Sequence, residues 1–269
     1  MIKLLAIDMD GTCLNQRSRI TPAVLQALTA AHGAGIEIVP TTGRALCCLP
    51  HQLAAHSELY RYAITSNGAR VTELSDHSTL FRAEIPKNIA LELTKSLQDS
   101  HIGRTAHINH QYLVEGHPLH AMGRMVYGKD ANTSRCIPDL FEEIKAENRD
   151  VEELQFFFFS PKTRQAVGDA LKQFPELCGA YSGVYVEIFH RTASKGSGLA
   201  ALAAQLGLRK EEVACIGDGE NDHSMFRAAG LRFAMGNAVD SLKAAADVVL
   251  PSNRKDGVAA AINDRILHK

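Results

Sequence analysis

Two apolar runs that end in acidic, glycine-containing loops restrict the fold of this chain more than any other feature. The N-terminal run, residues 2–7, is followed at once by DMDGT, which starts at Asp8. Far along the chain, residues 213–216 are followed by GDGEND, which starts at Gly217. A short apolar run bounded by a turn signal is typical of a buried parallel strand. The pattern therefore predicts two such strands with acidic residues at their carboxyl ends.

Helix signals alternate with these strands. Thr21 followed by Pro22 predicts a helix start, because threonine caps a helix well and proline suits its first turn. The same alternation returns after residue 189 and continues to the last residues of the chain. It is typical of a doubly wound parallel sheet. Between residues 36 and 68 we predict strands over 36–40 and 62–65, a helix over 44–55, and a hairpin turn at Asn67–Gly68.

The middle of the chain breaks this rhythm. Helices are predicted over 86–97 and 138–148, with a histidine-rich stretch between them and a strand over 156–159 after them. Helices and strands mixed in this way favour a separate α+β unit. We therefore predict an α/β fold, with a doubly wound (Rossmann-like) parallel sheet core in 1–83 and 186–269 and an inserted α+β domain in 84–185.

Composition excludes several classes of protein. The 269 residues include 29 basic and 30 acidic side chains, which argues against a broad nucleic-acid or anionic-membrane surface. No apolar run approaches the roughly 18 residues that span a bilayer, and Asp8 interrupts the N-terminal run too early for a signal peptide. The six cysteines show no CxxC pair. We therefore expect reduced thiols, a cytoplasmic location, and neither a nucleic-acid nor a membrane partner.

Four strand-to-helix junctions carry the candidate site residues. In a doubly wound fold these junctions can line one edge of the sheet, where ligands bind. Carboxylates gathered there would repel one another, so they need a divalent cation, and oxygen ligands favour Mg2+. The alternatives remain a solvated acidic turn, an acidic loop in which Asp222 caps a helix, and a surface lysine. The junctions offer Asp8 with Asp10, Thr41 to Arg44, Ser194 with Lys195, and Asp218 with Asp222.

These motifs, taken together, resemble those of a known family. They are DMDGT at Asp8, TTGR at Thr41, SKG at Ser194 and GDGENDHSM at Gly217, in this order, followed by AMGNAV and DGVA. The chain resembles the haloacid dehalogenase-like superfamily, and within it the Cof-type phosphatases with a type II cap. The resemblance covers essentially the whole chain and implies that the inserted unit, 84–185, is the cap domain.

The resemblance also implies roles for individual residues. Asp8 would be the nucleophile and a Mg2+ ligand. Asp10 would be the general acid/base and would give its backbone carbonyl to Mg2+. Asp218 would complete the metal site, with Asp222 beside it as a ligand through water or a supporting acid. The residues that would hold the phosphoryl group are Met9, Thr42, Gly43, Lys195 and Asn221.

The resemblance implies a Mg2+-dependent phosphatase of small phosphorylated metabolites, sugar phosphates above all, that works through an aspartyl-phosphate. A phosphomutase and a non-catalytic phospho-ligand sensor remain the alternatives, and the chain could be a monomer or a homodimer. GSGLAA after Lys195 fits a relaxed dinucleotide-binding motif, which alone is a weak signal. The histidines between 101 and 120 lack regular cysteine partners, so surface or substrate-facing roles are favoured over zinc binding.

Overall fold

The computed structural model describes residues 1–267, except for the side chains of Ala54, Val126 and Tyr127. Its strands are β1 (Leu4–Asp8), β2 (Glu37–Thr41), β3 (Tyr62–Thr65), β4 (Arg70–Glu73), β5 (Thr79–Arg82), β6 (Ile102–Ile108), β7 (Gln111–Glu115), β8 (Arg135–Ile137), β9 (Glu153–Phe158), β10 (Leu177–Tyr181), β11 (Tyr185–His190), β12 (Val213–Gly217), β13 (Leu231–Ala234) and β14 (Val248–Val249).

Helices lie between most of these strands. They are α1 (Pro22–Gly33), α2 (His51–Ala54), α3 (Lys87–Ser96), α4 (His117–Tyr127), α5 (Leu140–Ala146), α6 (Pro161–Leu171), α7 (Lys195–Gln205), α8 (His223–Ala228), α9 (Asp240–Ala245) and α10 (Gly257–Ala261). A π-helical turn, Ile262–Ile266, follows α10. Among the described helices, none combines the length and the apolar composition that crossing a membrane requires.

The chain forms two compact units. The first unit comprises Met1–Gly43, Gln52–Arg82 and the chain from Ser194 onward. The second unit comprises Arg44–His51 and Ala83–Ala193. Each unit has its own cluster of buried apolar side chains. This is expected when the apolar faces of each sheet are buried against helices of the same unit.

Within the described residues, the first unit is built on a sheet of eight strands in the order β14-β13-β12-β1-β2-β3-β4-β5. The pairs from β14 to β3 are parallel, and β3-β4 and β4-β5 are antiparallel. The chain runs from β1 toward β3 on one side and from β12 toward β14 on the other. The order therefore reverses between β1 and β12, which is where sheets of this kind bind ligands. The predicted doubly wound α/β core is confirmed.

Local sequence explains the elements of this unit. β1 is buried along its whole length, which explains why its residues before Asp8 are all apolar. Thr21 caps α1 as predicted, since its Oγ1 accepts a hydrogen bond from the Val24 N–H at 3.2 Å. The predicted hairpin at Asn67–Gly68 is also confirmed, because it joins the antiparallel strands β3 and β4.

The second unit is an α+β structure. Within the described residues it holds a sheet of six strands in the order β10-β11-β9-β6-β7-β8, antiparallel except for the pair β7-β8. One face of this sheet packs under α3, α5 and α6 through buried residues such as Ala106, Leu93 and Val167. The predicted strand over 156–159 overlaps the end of β9, which stops at Phe158, and of these residues only Phe156 is fully buried and Phe159 is exposed.

The predicted helix over 44–55 is wrong. The segment instead contains a short 3-10 turn, Leu46–Cys48, and the single-turn helix α2. Pro50 lies between them and has no backbone N–H to continue a helix. The Cys47 N–H donates to the His110 carbonyl at 3.0 Å, a tertiary contact that helical periodicity does not reveal.

Candidate active site

Three carboxylates meet where the strand order reverses. Asp8 is the last residue of β1, and Asp218 follows β12, the parallel neighbour of β1. Asp222 ends the 3-10 turn that leads into α8. One carboxylate oxygen from each lies within 4.8 Å of those from the other two. We call Asp8, Asp218 and Asp222 the acidic centre.

Lys195 supplies a cation to this acidic centre. It is the first residue of α7, which Ser194 caps by accepting a hydrogen bond from the Ser197 N–H. Its Nζ lies 2.6 Å from Asp8 Oδ1 and 2.6 Å from Asp222 Oδ1, and its side chain is only 2% exposed. The lysine is therefore a buried partner of two carboxylates, and the alternative of a surface lysine is excluded.

Asp222 organises the loop after β12. Its Oδ2 accepts hydrogen bonds from the backbone N–H groups of Asp218 at 2.8 Å and Gly219 at 2.9 Å. Asp222 precedes α8, but its side chain makes no capping hydrogen bond to that helix. Since its Oδ1 faces Lys195, both carboxylate oxygens already accept hydrogen bonds, and the residue fixes the loop and the lysine together.

Two neutral donors hold the Asp218 carboxylate. Thr12 Oγ1 donates to its Oδ1 at 3.1 Å, and Asn237 Nδ2 donates to its Oδ2 at 3.1 Å. Gly11 lies against the same carboxylate with a φ of 85°, and a Cβ at Gly11 would overlap it. Only glycine fits both the positive φ and the close approach, which explains why the acidic loop after β1 contains one.

The charges of the site are not balanced within the chain. Burial raises the pKa of Asp8 well above its ordinary value, and the neighbouring Asp222 and Asp218 add to this against the opposing charge of Lys195. Burial and Asp222 likewise raise the pKa of Asp218. Burial would lower the pKa of Lys195, but Asp8 and Asp222 outweigh it and raise the pKa. One ammonium thus faces three carboxylates, and the site can accept more positive charge.

The residues of the acidic centre fit a hard divalent cation. All of them offer carboxylate oxygens, which such cations prefer. Asp8 Oδ2 is buried and has no hydrogen-bond partner among residues 1–267, and a buried acceptor without a donor is costly unless a ligand supplies the missing charge. The oxygen ligands, the unpartnered Asp8 oxygen and the excess negative charge all favour a divalent cation at this site.

Three of the predicted phosphoryl-binding residues, Thr42, Gly43 and Asn221, follow strands of the same sheet edge as this centre. Thr42 and Gly43 follow β2, whose last residue pairs with Asp8 of β1. A Cβ on Gly43 would lie 3.1 Å from the amide atoms of Asn67, so the loop packs closely against that side chain. Asn221 Nδ2 in turn donates to Asn67 Oδ1 at 3.0 Å. Asn67 therefore links the loop after β2 to the loop after β12.

Asp10 and Met9 are placed differently from the acidic centre. Met9 is buried and packs in the apolar core of the first unit, so its side chain faces away from solvent. Asp10 is exposed at the start of the turn after β1 and is not a member of the carboxylate cluster. The roles predicted for Met9 and Asp10 therefore depend on the family resemblance.

Sequence reasoning missed three residues that shape the site: Thr12, Asn67 and Asn237. Thr12 lies inside the DMDGT motif and Asn237 inside AMGNAV. Both motifs were visible in the sequence, but the spacing of their residues does not reveal that these two side chains bind Asp218. Asn67 was recognised only as a turn residue. Its φ of 53° confirms the turn, while its side chain serves the neighbouring loops.

The fold and this site together define a doubly wound, Rossmann-like α/β protein with an acidic centre at the switch point of its sheet. A family profile described as haloacid dehalogenase-like hydrolase matches residues 5–262, and the chain belongs to that family. Solved structures agree with this. The subclass IIB sugar phosphatase BT4131 superposes with a TM-score of 0.81 at 25% identity, over 97% of this chain and 98% of that chain.

Curated relatives extend over the full chain. The 5-amino-6-(5-phospho-D-ribitylamino)uracil phosphatase YcsE of Bacillus subtilis (strain 168) is 28% identical, covering 99% of this chain and 96% of its own length. The pyridoxal phosphate phosphatase YbhA of Escherichia coli (strain K12) is 26% identical, covering 98% of this chain and 99% of its own length. The predicted enzyme class, a haloacid dehalogenase-like phosphatase, is thereby confirmed.

Proposed function

We propose that this chain is a Mg2+-dependent phosphatase that hydrolyses small phosphorylated metabolites, sugar phosphates in particular, through an aspartyl-phosphate on Asp8. The observation that carries the proposal is the state of Asp8. It ends a buried strand, its Oδ1 is 2.6 Å from Lys195 Nζ, and its Oδ2 has no hydrogen-bond partner among the described residues. A carboxylate beside a fixed cation, with one oxygen uncommitted, suits attack on a phosphoryl group.

The first half of the reaction transfers the phosphoryl group to the enzyme. A carboxylate oxygen of Asp8 forms a bond to phosphorus while the bond from phosphorus to the leaving oxygen breaks. Asp10 donates a proton to that oxygen, so the alcohol leaves neutral. The ammonium of Lys195, buried and held by Asp222, balances negative charge on the transferring group.

The second half regenerates the enzyme. Asp10, now ionised, takes a proton from a water molecule while that water attacks phosphorus. The bond between phosphorus and Asp8 breaks, inorganic phosphate is released, and Asp8 returns as a carboxylate. The exposure of Asp10 supports this role, since the residue that activates water must be reachable by solvent.

Mg2+, when bound, would supply positive charge to the phosphoryl oxygens and to the attacking carboxylate. The residues that would hold it are Asp8 and Asp218 through their carboxylates and Asp10 through its backbone carbonyl. We assign Asp222 an indirect role, because both of its oxygens already accept hydrogen bonds from Lys195 and from the loop after β12.

The phosphoryl oxygens would be held by Thr42, Gly43, Lys195 and Asn221, with the Met9 backbone completing the set. Asn67 supports this group, because it contacts the loop after β2 and accepts a hydrogen bond from Asn221. Backbone N–H groups next to a strand end and a buried ammonium are general features of phosphate sites.

The names of the relatives support the proposed substrate class. These proteins act on a phosphorylated ribitylamino compound, on pyridoxal phosphate and on sugar phosphates, according to their names. We propose the first unit, which holds most of 1–83 and 186–269, as the catalytic core, and the second unit, which holds 84–185, as the cap that selects among such substrates. The cysteines, all free thiols within residues 1–267, support a cytoplasmic location. Nucleic acid and membranes are not among the proposed partners, and a monomer or a homodimer fits equally.

Phosphate release tests the proposal directly. We would assay sugar phosphates, nucleotides and pyridoxal phosphate with Mg2+ and again in EDTA, comparing the unmodified protein with Asp8→Asn. Mg2+-dependent release and a fall of at least about 10³-fold in kcat for Asp8→Asn are expected, because the amide is not a nucleophile. Asp240→Asn, which changes an exposed acid of α9, serves as the matched control and should retain activity.

Three results would overturn the proposal. Isomerised sugar phosphate without free phosphate would identify a phosphomutase. Tight binding of a phosphorylated compound with no turnover would identify a sensor. Unchanged phosphate release by Asp8→Asn would remove the nucleophile. Acid-quenched protein should carry a phosphoryl group on the peptide that contains Asp8, and its appearance on another peptide would also contradict the mechanism.

A further inference from the structure

Asn237 lies in the loop between β13 and α9 and contacts both loops of the acidic centre. Its Nδ2 donates to the Gly11 carbonyl at 2.8 Å and to Asp218 Oδ2 at 3.1 Å. Its Oδ1 accepts the Asn253 N–H at 2.9 Å. Two acceptors on one side and one donor on the other determine the orientation of the amide. Both donors of the amide are therefore used, and its oxygen accepts one hydrogen bond.

The position of Asn237 matters because Gly11 and Asp218 belong to different loops. Gly11 follows β1, which carries Asp8, and Asp218 follows β12. Thr12 Oγ1 holds Asp218 Oδ1, so Asn237 supplies the donor to the other oxygen and the carboxylate cannot rotate without losing one of the two. As a neutral donor, asparagine fixes the acid without cancelling the negative charge that attracts a cation.

We propose that Asn237 is the positioning residue for Asp218: it bonds the loops after β1 and β12 together and holds the Asp218 carboxylate in the orientation that receives the divalent cation. The inference rests on the proposed function, because it takes the acidic centre to be a cation site. Asn237 itself touches neither the cation nor the substrate in this arrangement. Its effect must therefore be visible in cation affinity.

Asn253 provides a matched control on the same network. Its backbone N–H reaches Asn237 Oδ1, whereas its side-chain Nδ2 donates to the Leu14 carbonyl at 2.9 Å. Asn253→Ala therefore removes a different side-chain bond to the loop after β1, made from the segment after β14, but keeps both donors of Asn237. If Asn237 merely fastened a neighbouring segment to the loop after β1, Asn237→Ala and Asn253→Ala would change the Mg2+ affinity alike.

The experiment measures Mg2+ binding by isothermal titration calorimetry and thermal unfolding in EDTA for the full-length protein and its variants. Loss of a residue that orients a metal ligand typically weakens metal affinity about 10- to 100-fold. We expect a Kd for Mg2+ at least about tenfold higher in Asn237→Ala and a change within about twofold in Asn253→Ala. Asn237→Ser serves as the second variant if Asn237→Ala does not fold, with the same expected direction.

Steady-state kinetics give a second readout. The Mg2+ concentration for half-maximal activity should rise in Asn237→Ala by the same factor as Kd, while kcat at saturating Mg2+ stays within about threefold. A Kd within twofold of the unmodified protein, or an equal loss in Asn253→Ala, overturns the inference. Absence of Mg2+ binding by the unmodified protein overturns it together with the metal site. Mg2+ binding without phosphatase activity overturns only the proposed function, since Kd still decides the role of Asn237.

Discussion

Asp130 in the second unit and Asp8 in the first are both buried carboxylates, but their surroundings shift their pKa values in opposite directions. Asp130 Oδ2 accepts from Arg44 Nη1 at 2.8 Å, and its Oδ1 lies 3.0 Å from the His51 N and 2.7 Å from His51 Nδ1. Burial would raise the pKa of Asp130, but these donors outweigh burial and lower it. For Asp8, burial and neighbouring acids prevail over Lys195 and raise the pKa.

The difference distinguishes an acid that supports the fold from one prepared for a ligand. Asp130 has donors on both oxygens, so its charge is compensated by the second unit itself. Asp8 shares one lysine with Asp222 and retains an oxygen with no partner among residues 1–267. Proteins keep such unfavourable arrangements at functional sites, where a ligand restores the balance. The comparison supports the placement of the reaction at Asp8.

Lys195→Met gives the largest expected effect. Methionine keeps the length and apolar contacts of the buried side chain but removes the only cation that we find within hydrogen-bond distance of Asp8 in the described structure. We expect kcat for phosphate release to fall about 10³-fold, because charge on the transferring group is no longer balanced. Lys243→Met, which removes a partly exposed lysine of α9, is the control and should change kcat less than about twofold.

A smaller fall in kcat for Lys195→Met would contradict the comparison between Asp8 and Asp130. If Lys195→Met lowered kcat by less than about tenfold, the charge balance around Asp8 would not limit the reaction. The assay should be run at several Mg2+ concentrations, so that a change in kcat is separated from a change in cation affinity.

Stability measurements compare the two acids directly. Asp130→Asn breaks a buried ion pair with Arg44 and should lower the free energy of unfolding by about 3 kcal/mol. Asp8→Asn removes a carboxylate that burial already disfavours, so we expect a change within about 1 kcal/mol, or a gain, in EDTA. Urea denaturation followed by circular dichroism measures both. Equal losses in the two variants would show that Asp8 is as well compensated as Asp130.

Sequence analysis predicted the features that are encoded by residues close together in the chain. Apolar runs that end in an acidic residue predicted β1 and β12. Because parallel strands have their carboxyl ends at the same edge of a sheet, the acidic residues after both strands were expected at one edge. Both are consequences of burial and of parallel strand geometry, which neighbouring residues encode. Lys195 was harder to predict from the residues alone, because nothing nearby in the sequence reveals that α7 presents it to Asp8.

The missed features depend on contacts between distant residues. Asn67 and Asn221 are 154 residues apart, and Thr12 and Asp218 are 206 residues apart. No periodicity relates such pairs, so their hydrogen bonds emerge only when the sheet is assembled. The incorrect helix over 44–55 has the same origin, since a backbone bond from Cys47 to His110 replaces the local helical bond.

The cysteines offer the last and smallest test of the comparison. Near the acidic centre, burial and the charge of Asp8 raise the pKa of Cys13 to about 12. In the Arg44–His51 segment, a hydrogen bond from Cys48 outweighs burial and lowers the pKa of Cys47 to about 7.

The thiolate is the reactive form, so Cys47 should react with a water-soluble aromatic disulfide about tenfold faster at pH 8 than at pH 6. Peptide mass spectrometry of the labelled protein should find the reagent on Cys47 and not on buried Cys13, and Cys47→Ser should remove the component that rises through pH 7. Labelling of Cys13 at a comparable rate in the folded protein would mean that the acidic centre opens to solvent, and the contrast between a compensated segment and a sealed, charged site would fail.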